Sequence, residues 1–294
     1  MQAFSRLLLG ETRRDGTYDD EAWQQYGFDL DGWSSTVQQG FHCQGQQGSK
    51  LSDIRQDGPG GIDNSYGHNF VTTILSTLVA EPSSQATAAL GSGQQTFLLD
   101  VAALGAASSY PALTGSFLVA QGQLQPNGQP TPPPPGDWSS YAWSPLTAPA
   151  AAFGQSYLAG NTLVATFTQP VPFATLQAGF PMVMKLYQAR LRVDLTDRTR
   201  GQNGTLGGIL DTEELIASFK KGAEAFDTTF CGDSETFDAI AGQLRAASDI
   251  MVDGTQDPTK VCNGISLGVG FETRASSKGA AVAPPLAPDP CEQD

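Results

Sequence analysis

Polar and apolar residues alternate over residues 189–195: Leu191, Val193 and Leu195 fall on one side, and Arg190, Arg192 and Asp194 on the other. A period of two with one apolar side is the pattern of a half-buried antiparallel strand, here the end of an extended run over 182–195. Residues 264–273 repeat it, with Ile265, Leu267, Val269 and Phe271 on one side and glycines on the other, where another backbone or a helix can come close. Residues 95–101, 113–120 and 161–167 are short apolar runs bounded by Gly, Ser or Pro and read as further strands. Residues 70–79 fit a helix by apolar spacing and a strand by β-branched content, and both readings stay open.

Beyond residue 210 the period lengthens. Asp211 is placed to cap a helix with Glu214 in the capping-box position, and Leu215, Ile216, Phe219, Ala223 and Phe226 form its apolar stripe. A second helix begins near Ser234, with Phe237, Ile240, Ala241 and Leu244 on one face. Strands, then two helices, then a closing strand predict a mainly β fold with α insertions. The expected form is an antiparallel, jelly-roll-like β-sandwich with two helices before its last strand, because a doubly wound α/β fold would alternate throughout. Residues 1–69 are turn-rich and aperiodic, an irregular acidic, Gly-rich N-terminal subdomain. Residues 70–279 carry the sandwich and 280–294 a Pro-rich tail. Within the body, residues 121–149 form a long loop whose proline run at 132–135 cannot join a central ladder, and it reads as an ordered crossover or spacer before a recognition surface.

Composition narrows the class. Charged residues are 16% of the 294, and Gly, Ser, Thr, Gln and Ala are plentiful, which suits an extracellular β-rich protein. The net charge of −14 excludes a nucleic-acid partner, which needs clustered Lys and Arg, and opposes docking on anionic lipid. No run is long enough to span a bilayer. The first ten residues lack the basic and cleavage regions of a signal peptide, so export predicts a leader already removed or lying upstream. Cys43, Cys231, Cys262 and Cys291 form no CxxC pair, and with only His42 and His68 beside them a structural zinc site is excluded. Two disulfides are expected, Cys231 with Cys262 around one helical segment and Cys43 with Cys291 by elimination; four buried thiols are the alternative.

The densest candidate chemistry is paired acidic loops, residues 27–32 (GFDLDG) and 57–67 (DGPGGIDNSYG). Short oxygen side chains in glycine turns suit calcium, and equally suit Asx-turns. Asp29, Asp31, Asp63 and Asn64 are the candidate ligands, with Asp57 and Asp53 behind them; the spacing is not that of an EF-hand. Trp33, Trp138, Tyr141 and Trp143, with Trp23, lie in loops where exposed rings stack on sugars, although buried plugs are the commoner use. His42 beside Cys43, and His68 near Asp63, are weak nucleophile or base candidates, and no Gly-x-Ser-x-Gly elbow exists. Asn203-Gly204-Thr205 is a formal glycosylation sequon and a hairpin-turn dipeptide. No catalytic residue is assigned.

The two acidic motifs, with 160–165 (GNTLVA), 207–210 (GGIL) and 262–271 (CNGISLGVGF), resemble uncharacterised exported proteins and lipoproteins of myxobacteria-like bacteria. The resemblance implies an envelope or extracellular location and supplies no activity. The expected function is an exported, cell-surface binding or structural protein, calcium-stabilised, with a glycan or another surface protein as partner. The alternative is an extracellular carbohydrate-binding, lectin-like or hydrolytic protein.

Overall fold

The alternating segments are the walls of a barrel. The computed structural model describes residues 1–36, 43–49, 56–126, 128–147, 150–177, 180–226, 228–232, 234–284 and 291. Among these, the strands are β1 (Gln2–Leu8), β2 (Thr96–Val101), β3 (Gly115–Gln121), β4 (Ala142–Pro145), β5 (Ala151–Ala159), β6 (Thr162–Phe167), β7 (Val171–Gln177), β8 (Phe180–Asp194), β9 (Arg200–Asp211), β10 (Gly264–Ala275) and β11 (Ser277–Lys278). The ladder runs β3-β2-β1-β10-β9-β8-β6-β5, and β5 returns to β3 through Ser116↔Ala152 and Phe117↔Ala151. That last pairing closes an eight-stranded antiparallel barrel and corrects the expected sandwich. Period-two patterning fixes which side of a strand is buried, but two facing sheets and one curled sheet demand the same pattern. Bulges in β1, β8, β9 and β10 increase coiling and favour closure.

Phe4, Phe97, Phe117, Leu191, Val193, Leu267, Val269 and Phe271 fill the barrel, with the Phe4 and Phe271 rings stacked at 4.1 Å. The lumen is a packed core. It continues into helical segments: a π-helix (Tyr66–Leu75) running on into α1 (Ser76–Leu78), then α2 (Pro82–Gly91), α3 (Thr212–Phe226) and α4 (Glu235–Ala246). The open segment 70–79 is thus helical. The expected cap at Asp211 forms, its Oδ1 accepting the Glu213 and Glu214 N–H groups at 3.0 Å, and at the start of the second helix Ser234 Oγ accepts the N–H of Phe237 at 3.3 Å. Glu214 turns outward to Lys185 and Tyr187 instead of completing a capping box.

Residues 2–8, expected in the irregular N-terminal region, form β1 between β2 and β10. β1 pairs with β2 only at Gln2 and Ala3. Further along, α2 takes the place of a strand: Leu9 N–H donates to Ser83 Oγ at 2.7 Å, and Leu7 N–H to Thr87 Oγ1 at 3.1 Å. The buried Glu11 carboxylate then accepts the Ser83 N–H (2.7 Å) and hydroxyl (2.8 Å), capping α2 where the helix dipole favours negative charge. Glu11→Ala leaves those donors unmet and is expected to cost about 1–3 kcal/mol in denaturant unfolding, partly restored by Gln. A change below about 0.5 kcal/mol, within the range of ordinary surface substitutions, sinks this account.

The disulfides join Cys43 to Cys262 and Cys231 to Cys291, correcting both expected pairings. Spacing along the chain favoured Cys262 for Cys231. In space a parallel bridge between Gln44 and Val261 lays the Cys43 segment against Cys262.

Candidate functional site

The acidic loops lie on the outer wall over β9 and β10. The expected glycine face of β10 is what admits them: a Cβ at Gly268 would strike the Tyr26 carbonyl, and one at Gly270 the Tyr26 ring. Phe28 covers Gly207, and Leu30 packs with Ile209 and Ile250. Residues 28–31 then run beside residue 63, with Asp63 N–H donating to Phe28 O at 3.0 Å.

This pairing gathers three of the four candidate ligands, Asp29, Asp31 and Asp63. One oxygen from each of Asp29, Asp31 and Asp63 lies within 4.8 Å of the others. A calcium ion with bonds of about 2.3–2.6 Å spans opposite oxygens no more than about 5 Å apart, so the spacing fits one ion. Backbone donors hold the set: Gly32 N–H to Asp29 Oδ1 (2.6 Å), Trp33 N–H to Asp31 Oδ1 (2.7 Å) and Leu30 N–H to Asp63 Oδ2 (2.6 Å). Gly61, at φ 79°, brings the second loop close to Asp29 and the Trp33 carbonyl. Arg190 donates to the Asp29 carbonyl at 2.8 Å.

Asp63 is 1% exposed. Burial first, then the charges of Asp31, Asp249 and Asp57, push its carboxyl up to about 10. The folded state therefore holds the Asp63 proton more tightly than the unfolded chain. The stability tied to that proton is complete below the ordinary carboxylate range and drains away as pH rises toward about 10.

The remaining acidic-loop candidates serve the backbone. Asp57 accepts the Ser35 N–H. Asn64 stands apart from the three carboxylates and is fully engaged: Oδ1 accepts from Gly67 (3.0 Å) and Gly268 (2.8 Å), and Nδ2 donates to the carbonyls of Trp23 (3.0 Å), Tyr26 (3.1 Å) and Gly268 (2.9 Å). It acts as a short piece of strand for the stretch of β10 that β1 does not reach. Next to it, Ser65 N–H donates to Ser266 Oγ at 2.8 Å, and Asp249 binds the N–H and hydroxyl of Ser266. Nothing local in the sequence marks Asn64 or Asp249 for this role, since both act on β10, which lies 204 residues beyond Asn64 at Gly268 and 17 beyond Asp249 at Ser266.

The aromatic platform does not assemble. Trp143 and Trp138 are 0% and 6% exposed and pack on Ala3, Leu98, Leu118 and Ala120, the outward side of β1, β2 and β3. Tyr141 packs with them and gives its hydroxyl to Thr131 O. Trp33 alone of the four is exposed, at 49%. The loop carrying the proline run is thus a plug over the barrel wall. Trp23 is buried with the His68 ring stacked on it at 4.4 Å. His42 and Asp53 lie outside the described residues. Asn203-Gly204 is not a hairpin turn: it sits inside β9, with Asn203 at φ 52°.

The chain matches no protein-family model, no curated protein and no solved structure.

Proposed function

We propose that this chain is an exported binding or structural protein of the cell surface, stabilised by a calcium ion at Asp29, Asp31 and Asp63. The observation that carries the reading is the convergence of those carboxylates from two loops, one of them buried among like charges. Loops that pair through backbone bonds could have turned their acidic side chains apart into water. Holding them together is costly unless a cation or a proton offsets the repulsion. Two disulfides are compatible with an oxidising, extracellular setting. Among the described residues no helix is long and apolar enough to cross a membrane.

Calorimetric titration of calcium chloride into chelator-treated protein, with melting followed in parallel, tests the reading. Saturable binding is expected, with about 2.7 kcal/mol of added stability at a hundredfold excess over Kd. Asp31→Asn and Asp63→Asn are expected to abolish it. In chelator at mildly alkaline pH, Asp63→Asn should melt several degrees above the parent, because the parent must take up a proton to fold there, whereas asparagine is neutral in both states and keeps an acceptor for Leu30. No heat and no shift in melting overturns the proposal.

A further inference from the structure

A second polar site lies on the same outer wall, around the bulges. Register shifts interrupt β1 between Phe4 and Arg6, β10 between Phe271 and Thr273, and β8 between Arg192 and Asp194. On the intervening β9, Asn203 adopts a left-handed conformation. Bulges re-aim side chains and sharpen the local twist. Here they open a pocket of about 160 Å³ lined by Leu8, Arg14, Gln202, Asn203 and Glu272.

Its charge is the informative feature. The half-buried Arg14 guanidinium donates to Gly204 O (2.9 Å), Thr205 Oγ1 (2.9 Å) and Gln25 O (3.5 Å), and lies 4.9 Å from the Tyr26 ring centre. These partners are all neutral, and no carboxylate bonds to Arg14 among the described residues. Arg192 is exposed on β8 opposite Thr205, and it too has no ion pair among the described residues. Burial, and after it the charge of Arg192, hold the Arg14 guanidinium below its usual proton affinity. Glu272, on the remaining wall, is already matched by Arg6 at 2.9 Å. The amides of Gln202 and Asn203 are exposed. Arg14 and two amides line one small pocket, and the unpaired Arg192 stands beside Arg14 across Thr205, so positive charge and donors gather here on a chain of net charge −14. Beyond Leu8 and the Arg6–Glu272 pair, a larger cleft of about 380 Å³ is lined by Thr12, Tyr18, Glu81, Ser84 and Thr87.

We propose that this pocket binds a tetrahedral oxyanion, phosphate or sulfate, through Arg14 and the amides of Gln202 and Asn203, with the charge of Arg192 close by, and that the adjoining cleft takes the body of the molecule bearing it. Guanidinium and amide donors match the outward lone pairs of such an anion, and bonds to a charged acceptor are about twice as strong as neutral ones. The pocket volume suits one such group with a water or two, each taking about 30 Å³.

The test is calorimetric titration of inorganic phosphate, sulfate and glucose 6-phosphate into chelator-treated protein at constant ionic strength. Removing divalent cations keeps the result separate from the fate of the calcium reading. Saturable binding is expected, weakened at least about tenfold by Asn203→Gly, the change a lost charge-assisted bond produces, and weakened to a lesser degree by Arg192→Gln, which removes a neighbouring charge. Both positions are exposed, and glycine suits the left-handed backbone at 203, so neither variant should disturb folding. Tighter binding of glucose 6-phosphate than of phosphate supports a carried anion whose body fills the cleft. Equal binding supports the oxyanion pocket and overturns the role of the cleft. Absence of binding, binding indifferent to both variants, or retention only on phosphatidylcholine vesicles containing phosphatidic acid overturns the proposal.

Discussion

Asn64→Ala is expected to lower unfolding free energy by about 3–5 kcal/mol, near the top of the range for single substitutions. Five backbone groups lose a bond at once, the N–H groups of Gly67 and Gly268 and the carbonyls of Trp23, Tyr26 and Gly268, of which the Trp23 carbonyl keeps the Tyr26 N–H. All belong to buried residues, and the amide packs closely on Gly67, where a Cβ would lie 2.8 Å from Asn64 Nδ2. Each unmet buried group costs about 1–3 kcal/mol, less whatever relaxation recovers. Asp is the informative second variant. It keeps the acceptor for Gly67 and Gly268 but presents a charge to three carbonyl oxygens, so it should fare no better than alanine. Urea unfolding read by fluorescence and circular dichroism measures both, and a loss below about 1 kcal/mol for alanine would refute the strand-mimic role.

The second large effect concerns the Cys43–Cys262 bond. Its partners are 219 residues apart and both are fully buried, beside Met251. Removing it with paired alanines is expected to cost about 2–5 kcal/mol, partly through restored freedom of the unfolded chain. Removing Cys231–Cys291, which spans 60 residues, closes a shorter loop and should cost less. The order should be visible in guanidinium midpoints of the two double variants. A reversed order would mean that local packing, not loop length, sets the effect.

The contrast between these two features and the strand calls shows where sequence reading stops. The faces of β8 and β10 were legible because a period of two is a local property: Leu191, Val193 and Leu195 are all fully buried, as their alternation with arginine implied. The glycine side of β10 was legible as a place of close approach, though not that Tyr26 and Gly27 are what approach it. The cap at Asp211 and the helix start near Ser234 are set within four residues and were legible, although the capping box with Glu214 does not form. Closure was not legible, because it rests on two residue pairs between β3 and β5. Likewise β1 is a short apolar run that becomes a strand only through partners remote in sequence. The acidic site was half legible: composition pointed to both loops, but Asp63 and Asn64, adjacent in sequence, serve a carboxylate cluster and a strand edge respectively. Trp138 and Trp143 were misplaced for a related reason, since a tryptophan in a proline-rich loop carries no local sign of the wall it will cover.

The position of β1 between β2 and β10 also governs how the molecule can be made. Its first strand leaves the ribosome early, yet its longest pairing is with a strand near the other end of the chain. Cys43 likewise waits for Cys262. Domains that form early in synthesis do so from contacts between neighbouring segments. This barrel has no such early form, for its wall has a gap until nearly the whole chain is present. Closure is thereby tied to β10: a chain cut before Gly264 leaves one edge of β1 without its partner strand.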